Sequence, residues 1–201
     1  MRGSTSGEVS DAKIIGRSLV EPHVFEEIFD RHYRTIYRYV ARRLGRDAAD
    51  DIASDVFLRA FDGRHRYDQT RSSCVPWLYG IAANVCRTTS RSRFREAKAV
   101  RRLETVDTAP DSAEGIAWRL DASDAVAKSG LVDAINALRF DERETLYLQV
   151  FGGLSYPEIA EAMDVPVGTV RSRLSRTKAK LREPLERLRE SDTDREGRWT
   201  I

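Results

Sequence analysis

Cysteine is scarce in this sequence, with only Cys74 and Cys86 among 201 residues. They form no Cys-x-x-Cys pair, which argues against a disulfide framework and leaves two reduced bystanders. His23, His32 and His65 have no metal-ligand spacing with them, so no metal and no cofactor is expected. No apolar run approaches the roughly 20 residues that cross a bilayer. The polar stretch from Met1 to Asp11 lacks the apolar centre of a signal peptide. The expected location is the cytoplasm, without membrane insertion. A Gly-rich phosphate loop, a metal cluster and a nucleophile–base pairing are all missing, which argues against an enzyme. Runs of alternating β-branched residues are nearly absent, and with them the usual signature of a sheet.

What the chain does hold is charge and helical periodicity. Charged residues make up 33% of it, yet the net charge is only +2 because the signs are segregated. Residues 87–102 carry seven bases and one acid, residues 103–127 six acids and one base, and residues 169–182 six bases and no acid. Segregated charge says more about partners than the total does; the alternative is solvated helix faces, which usually mix both signs.

Apolar residues recur at three- and four-residue steps along most of the chain. Phe25, Ile28, Phe29, Tyr33, Ile36, Tyr37, Val40 and Leu44 form one face of a helix that Gly45 ends. A second helix is predicted to start near Asp47, with Ile52, Val56, Phe57, Ala60 and Phe61 as its apolar positions. Asp47, Asp50 and Asp51 suit the dipole at its start. A polar loop covers residues 63–75, and a third helix begins near Pro76 with Trp77, Leu78, Ile81, Ala82 and Val85. Leu131, Ile135 and Leu138 mark a further helix, and Leu146, Val150 and Phe151 the next. The expected fold is therefore all-α, as two small helical domains joined by a flexible linker. Residues 1–20 read as a flexible tail and residues 21–100 as a bundle of three or four helices. Residues 101–128 read as the linker, with a short helix around Ile116 to Leu120. Residues 129–190 read as a second domain and residues 191–201 as a tail.

One motif is more specific. Ser155-Tyr156-Pro157-Glu158 is a capping box, in which hydroxyl and carboxylate each satisfy the other's backbone N–H. Asp164-Val165-Pro166-Val167 breaks the helix it opens, and a strongly basic helix resumes near Gly168-Thr169. Two short helices round a tight turn make a helix-turn-helix. Projected at about 100° per residue, Val170, Leu174, Thr177 and Leu181 share a packing face. Ser172, Ser175, Arg176 and Ala179 lie opposite, flanked by Arg171 and Lys178 on one side and Arg173 and Lys180 on the other. Small polar residues at the centre let such a helix enter a major groove, while flanking cations suit phosphates.

These residues carry a resemblance. Leu154–Ala160 and Val167–Arg176 resemble region 4 of extracytoplasmic-function sigma factors, which belong to the sigma-70 family of bacterial RNA polymerase. Phe25–Phe29 with Tyr33 and Tyr37, then Ala49–Phe61 and Trp77–Asn84, resemble region 2 of the same family. The resemblance implies a factor that binds core polymerase and directs promoter-specific initiation. Region 4 would read the −35 element through Thr169, Arg171, Ser172, Arg173, Ser175, Arg176, Lys178 and Lys180. Region 2 would capture the melted −10 element through Tyr67, Asp68, Gln69, Arg71, Ser72, Ser73 and Asn84, with a basic track of Arg87, Arg91, Arg93 and Arg95. Trp77 reads as a core anchor beneath that loop. Asp51, Ser54, Asp55, Val56 and Phe57 match the positions that dock on the β′ clamp helices. Many relatives carry Gln where Ser54 stands. The implied partners are core polymerase (β′ clamp helices and β flap), promoter DNA and, in many relatives, an anti-sigma factor. A regulator of the LuxR type shares a similar C-terminal helix-turn-helix. It would need a ligand or phospho-acceptor domain in the N-terminal half, where no βαβ alternation occurs.

Overall fold

The computed structural model describes residues 9–71, 73–103 and 125–196. Among these residues every regular element is helical. The N-terminal half contains α1 (Asp11–Ser18), a 3-10 turn (Pro22–Phe25), α2 (Glu26–Leu44), α3 (Ala49–Gly63), a second 3-10 turn (Arg64–Arg66) and α4 (Val75–Leu103). The C-terminal half contains α5 (Ala125–Asn136), α6 (Phe140–Val150), α7 (Tyr156–Met163) and α8 (Val167–Glu196).

The periodic residues do bury the predicted faces. Ile28, Ile36, Tyr39 and Val40 of α2 meet Ile52, Ala53, Val56 and Ala60 of α3 and Leu78, Ala82 and Val85 of α4 in one core. Gly45 adopts a left-handed φ of 86° and its N–H donates to Ala41, which ends α2 as the sequence predicts. α3 begins at Ala49, two residues after the expected start, with Asp50 and Asp51 in its first turn.

Three expectations need correction. Residues 11–18 are not a loose tail. They form α1, and Ile14 and Ile15 are fully buried against the bundle. Two adjacent isoleucines bury enough apolar surface to hold a short helix that its Gly- and Ser-rich context disguises. Residues 101–103 and 125–128, expected in the linker, continue α4 and open α5. Residues 191–196, expected in the C-terminal tail, continue α8. The short helix anticipated around Ile116 to Leu120 lies outside the described residues.

The two halves pack directly on each other. Arg43 of α2 forms a bidentate pair with Glu144 of α6, including Nη1 to Oε2 at 2.7 Å. The two side chains are only 6% and 3% exposed. Burial pushes the Glu144 carboxyl up, and the Arg43 guanidinium opposes that shift. Tyr79 Oη donates to the Gly152 carbonyl at 3.2 Å, and Arg42 Nη1 to that of Phe151 at 3.3 Å. Gly80 lets α4 and α7 approach, because a Cβ there would fall 2.5 Å from the Ala162 carbonyl oxygen.

Candidate nucleic-acid interface

The turn between α7 and α8 is built by local sequence. The Ser155 N–H donates to Glu158 Oε2 at 2.7 Å, which secures the start of α7. The Ser155 hydroxyl donates to the same carboxylate at 2.5 Å. Asp164 ends α7 in the left-handed region, at φ 52°, a conformation that Asp tolerates better than most residues. The chain then turns at Pro166 and enters α8.

α8 presents the predicted faces. Val170, Leu174, Thr177 and Leu181 are all buried, which fixes the helix against α6 and α7. Arg171, Ser172, Ser175, Arg176, Lys178, Ala179 and Lys180 are exposed, and Thr169 and Arg173 are half-buried. Three of these cations pair with acids of α6. Arg173 pairs with Asp141 at 3.0 Å and Lys180 with Glu142 at 2.6 Å. Arg176 lies 3.5 Å from Glu142 and is itself 58% exposed. The Lys180 ammonium holds the Glu142 carboxyl below the usual range, and the Arg139 N–H helps. The first turn of α6 therefore braces the basic helix from behind, while Arg171, Ser172, Ser175 and Lys178 face outward.

The loop before α4 forms a second polar surface. Asp68 Oδ1 accepts from the Thr70 N–H at 3.0 Å and the Thr70 hydroxyl at 2.6 Å. Its Oδ2 accepts from Arg71 Nε at 3.0 Å. The Thr70 hydroxyl, then its N–H and Arg71, hold the Asp68 carboxyl below its ordinary range. Gln69 is exposed, with its amide against Gly16 of α1. Ser73 Oγ accepts from the Val75 N–H at 3.2 Å and so caps α4. Ser72 lies outside the described residues. Tyr67 is buried, its ring 5.0 Å from that of Trp77, and its hydroxyl has no partner. Tyr67 thus shares the anchoring position beneath the loop with Trp77 and is not displayed on its surface.

A cavity of about 470 Å³ opens under this loop. Tyr67, Asp68, Arg71, Trp77 and Asn84 line it from the N-terminal half, and Glu161 and Asp164 from α7. Arg71 Nη1 reaches Glu161 at 3.2 Å across it. A larger cleft of about 630 Å³ lies between α4 and α6. Arg87, Arg91 and Arg95 line it, and Arg87 and Arg91 lie over the Phe140 ring at 5.4 and 5.7 Å. Arg93 donates to the Leu44 carbonyl at 3.3 Å.

On α3 the structure separates the five residues of the expected polymerase face. Asp51 and Ser54 are exposed and Asp55 is half-buried, paired with Arg59 at 3.1 Å. Val56 and Phe57 are core residues, and Phe57 packs edge-on against Phe29 at 5.0 Å. They cannot touch a partner without unpacking the bundle, because their phase on the helix points inward. The apolar residue that does face outward is Leu58, 60% exposed. With Asp51, Ser54 and Asp55 it completes an i, i+3, i+4, i+7 stripe that the sequence reading missed.

Each half of the chain matches a family model. Residues 28–96 match the family model for sigma-70 region 2, and residues 129–181 that for sigma-70, region 4. RNA polymerase sigma factor CarQ of Myxococcus xanthus is 32% identical over 165 residues, covering 82% of this chain and 90% of that protein. The chain belongs to the extracytoplasmic-function group of the sigma-70 family. The ECF sigma-E factor of Haemophilus influenzae is 30% identical, covering 66% of this chain and 71% of its own length. Among solved structures, the sigma factor RpoE of Bartonella quintana, bound to the anti-sigma factor NepR, superposes with a TM-score of 0.55. It shares 24% identity, covering 81% of this chain and 96% of that one. CnrH, solved with the cytosolic domain of CnrY, superposes at 0.57 with 19% identity, covering 88% and 97%. These likenesses carry the fold. As a sigma factor, the chain works with core RNA polymerase and directs promoter-specific initiation. No helix among the described residues is long and apolar enough to cross a membrane.

Proposed function

We propose a division of labour between the two halves of this sigma factor. α8 enters the major groove of the −35 element, and the loop of residues 67–74 with the start of α4 captures the unpaired −10 strand. The observation that carries the first assignment is the one-sided burial of α8. Its apolar face is locked inward, and Arg171, Ser172, Ser175, Arg176 and Lys178 are left to meet base edges and phosphates. For the second, Asp68, Arg71 and Asn84 offer hydrogen-bonding groups round a cavity large enough for one base. Arg87, Arg91 and Arg95, which line the cleft between α4 and α6, and Arg93 are the cations farther along α4 that would follow the strand once that cleft opens. Capture of an unpaired base in the cavity offsets an unpairing cost of a few kcal/mol.

Core polymerase docks on the outer stripe of α3, formed by Asp51, Ser54, Asp55 and Leu58. The chain performs no catalytic step, because nucleotide addition belongs to the polymerase, and it acts in the cytoplasm with that enzyme. Glu161 and Asp164 line the same cavity, and their negative charge opposes a DNA strand there, so the halves separate when the promoter is bound. An anti-sigma factor, like the partner of the Bartonella protein, would act by keeping these surfaces apart from polymerase and DNA. The test is run-off transcription with core polymerase from a cognate promoter. The proposal predicts initiation that depends on both elements. Tight DNA binding without polymerase, and no initiation with it, would overturn the proposal.

A further inference from the structure

The fold brings together three side chains that are 21 and 42 residues apart in sequence. Asp11 sits at the start of α1, His32 in the middle of α2, and Cys74 at the last position before α4. His32 Nε2 lies 3.0 Å from Asp11 Oδ2, and Cys74 Sγ lies 3.3 Å from the same oxygen. All three donor atoms fall within 4.8 Å of one another. We propose that Asp11, His32 and Cys74 bind a single thiophilic divalent cation of the zinc class, which fastens α1 and the end of the 67–74 loop to the bundle.

The geometry supports this reading. Zinc bonds of about 2.0 Å to nitrogen and oxygen and 2.3 Å to sulfur place tetrahedral ligands roughly 3.3–3.7 Å apart. The observed separations on Asp11 need adjustments of only tenths of an ångström to meet that, and the His32 and Cys74 donor atoms, within 4.8 Å of each other, close by up to about 1 Å. One nitrogen, one carboxylate oxygen and one sulfur form the mixed donor set that suits this ion. The carboxylate is already oriented from behind, since Arg31 Nη1 holds its other oxygen at 3.3 Å. Such outer contacts are characteristic of metal sites. Asp11 and His32 side chains are 11% and 15% exposed, which leaves a way in and a fourth position for water. Cys74 is fully buried. Burial, and then the nearby Asp11 charge, hold its thiol up in the metal-free protein. A bound dication reverses that balance. The thiol proton leaves to solvent as the S–metal bond forms, and the proton that His32 Nε2 directs at Asp11 leaves likewise, so that Nε2 binds the metal with the remaining ring proton on Nδ1. No electron is transferred. The site stands on its own geometry and does not depend on the promoter-reading roles proposed above.

The test uses the untagged full chain, stripped of metal and titrated with Co²⁺ as a coloured stand-in. One equivalent should produce a sulfur-to-cobalt charge-transfer band, and Zn²⁺ should displace it. Cys86→Ser should keep the band and Cys74→Ser should lose it. Asp11→Asn and His32→Gln should weaken binding at least about tenfold. Hydrogen exchange of residues 9–18 should slow when Zn²⁺ is added. A wild-type chain without the band, a Cys74→Ser chain that keeps it, or unchanged exchange in α1 would overturn the proposal. Where a variant loses its helical circular dichroism, the wild-type titration alone decides. A hydrogen-bonded Asp–His–Cys cluster that takes no metal would show itself as the absent band.

Discussion

Glu144→Ala tests whether the two halves pack as described. The substitution leaves the Arg43 guanidinium between them without its carboxylate. Arginine cannot shed its proton, so the charge stays. Removing one partner of a buried pair costs about 3–5 kcal/mol. The lower end applies here, because Arg43 keeps its bond to Tyr39 Oη at 3.0 Å and its place over the Tyr147 ring at 5.1 Å. The cost is also capped by the coupling between the halves. Once it exceeds that coupling, they part and Arg43 meets water. Urea unfolding should therefore show a loss of about 3 kcal/mol, or small-angle scattering a larger radius of gyration. Arg43→Met should be milder, since Glu144 can take up a proton. Burial already raises its carboxyl, so the native state of that variant holds a proton that the unfolded chain releases. Its stability should fall as pH rises above the ordinary carboxylate range, and Glu144→Ala should show no such fall. The double variant Arg43→Met/Glu144→Leu should recover most of the loss. If Glu144→Ala changes neither the urea midpoint nor the scattering, the pair is not buried between the halves and the reasoning fails.

Three further predictions follow from other contacts. Gly80→Ala should open the same interface from a second place, because its Cβ would meet the Ala162 carbonyl; scattering would show the expansion, and an unchanged radius would contradict it. Asp51→Ala and Leu58→Ala should weaken capture of core polymerase on a pull-down while leaving duplex binding by α8 intact, whereas equal loss of both would indicate misfolding. Ser155→Ala should destabilise the C-terminal half by up to about 1 kcal/mol in thermal unfolding, because the hydroxyl that orients the Glu158 carboxylate at the start of α7 is lost while the Ser155 N–H bond stays; no measurable change would remove that role.

Local patterns made much of this molecule legible. The faces of α8 follow from Val170, Leu174, Thr177 and Leu181 at helical spacing, and burial confirms each of them. Gly45 and the Ser155–Glu158 box mark a helix end and a helix start because their chemistry acts within one turn. What escaped was set by distance along the chain or by phase. α1 depends on Ile14 and Ile15 finding a groove on the bundle, and on Asp11 reaching His32 and Cys74. Glu144 reads as an ordinary surface acid until the fold sets it against Arg43, 101 residues away. On α3 the resemblance named Val56 and Phe57, which the fold buries, and a shift of one residue separates buried Phe57 from exposed Leu58. Which face of the loop Tyr67 occupies was likewise a matter of packing against Trp77.

The division of labour is tested most directly by a promoter-substitution profile in run-off transcription with core polymerase. Arg176→Ala should flatten the −35 profile alone, by roughly 1–3 kcal/mol at the contacted base pair, and Asn84→Ala should flatten the −10 profile alone. A variant of either residue that alters both profiles equally, or neither, would contradict the assignment of α8 and of α4 with its preceding loop to separate elements.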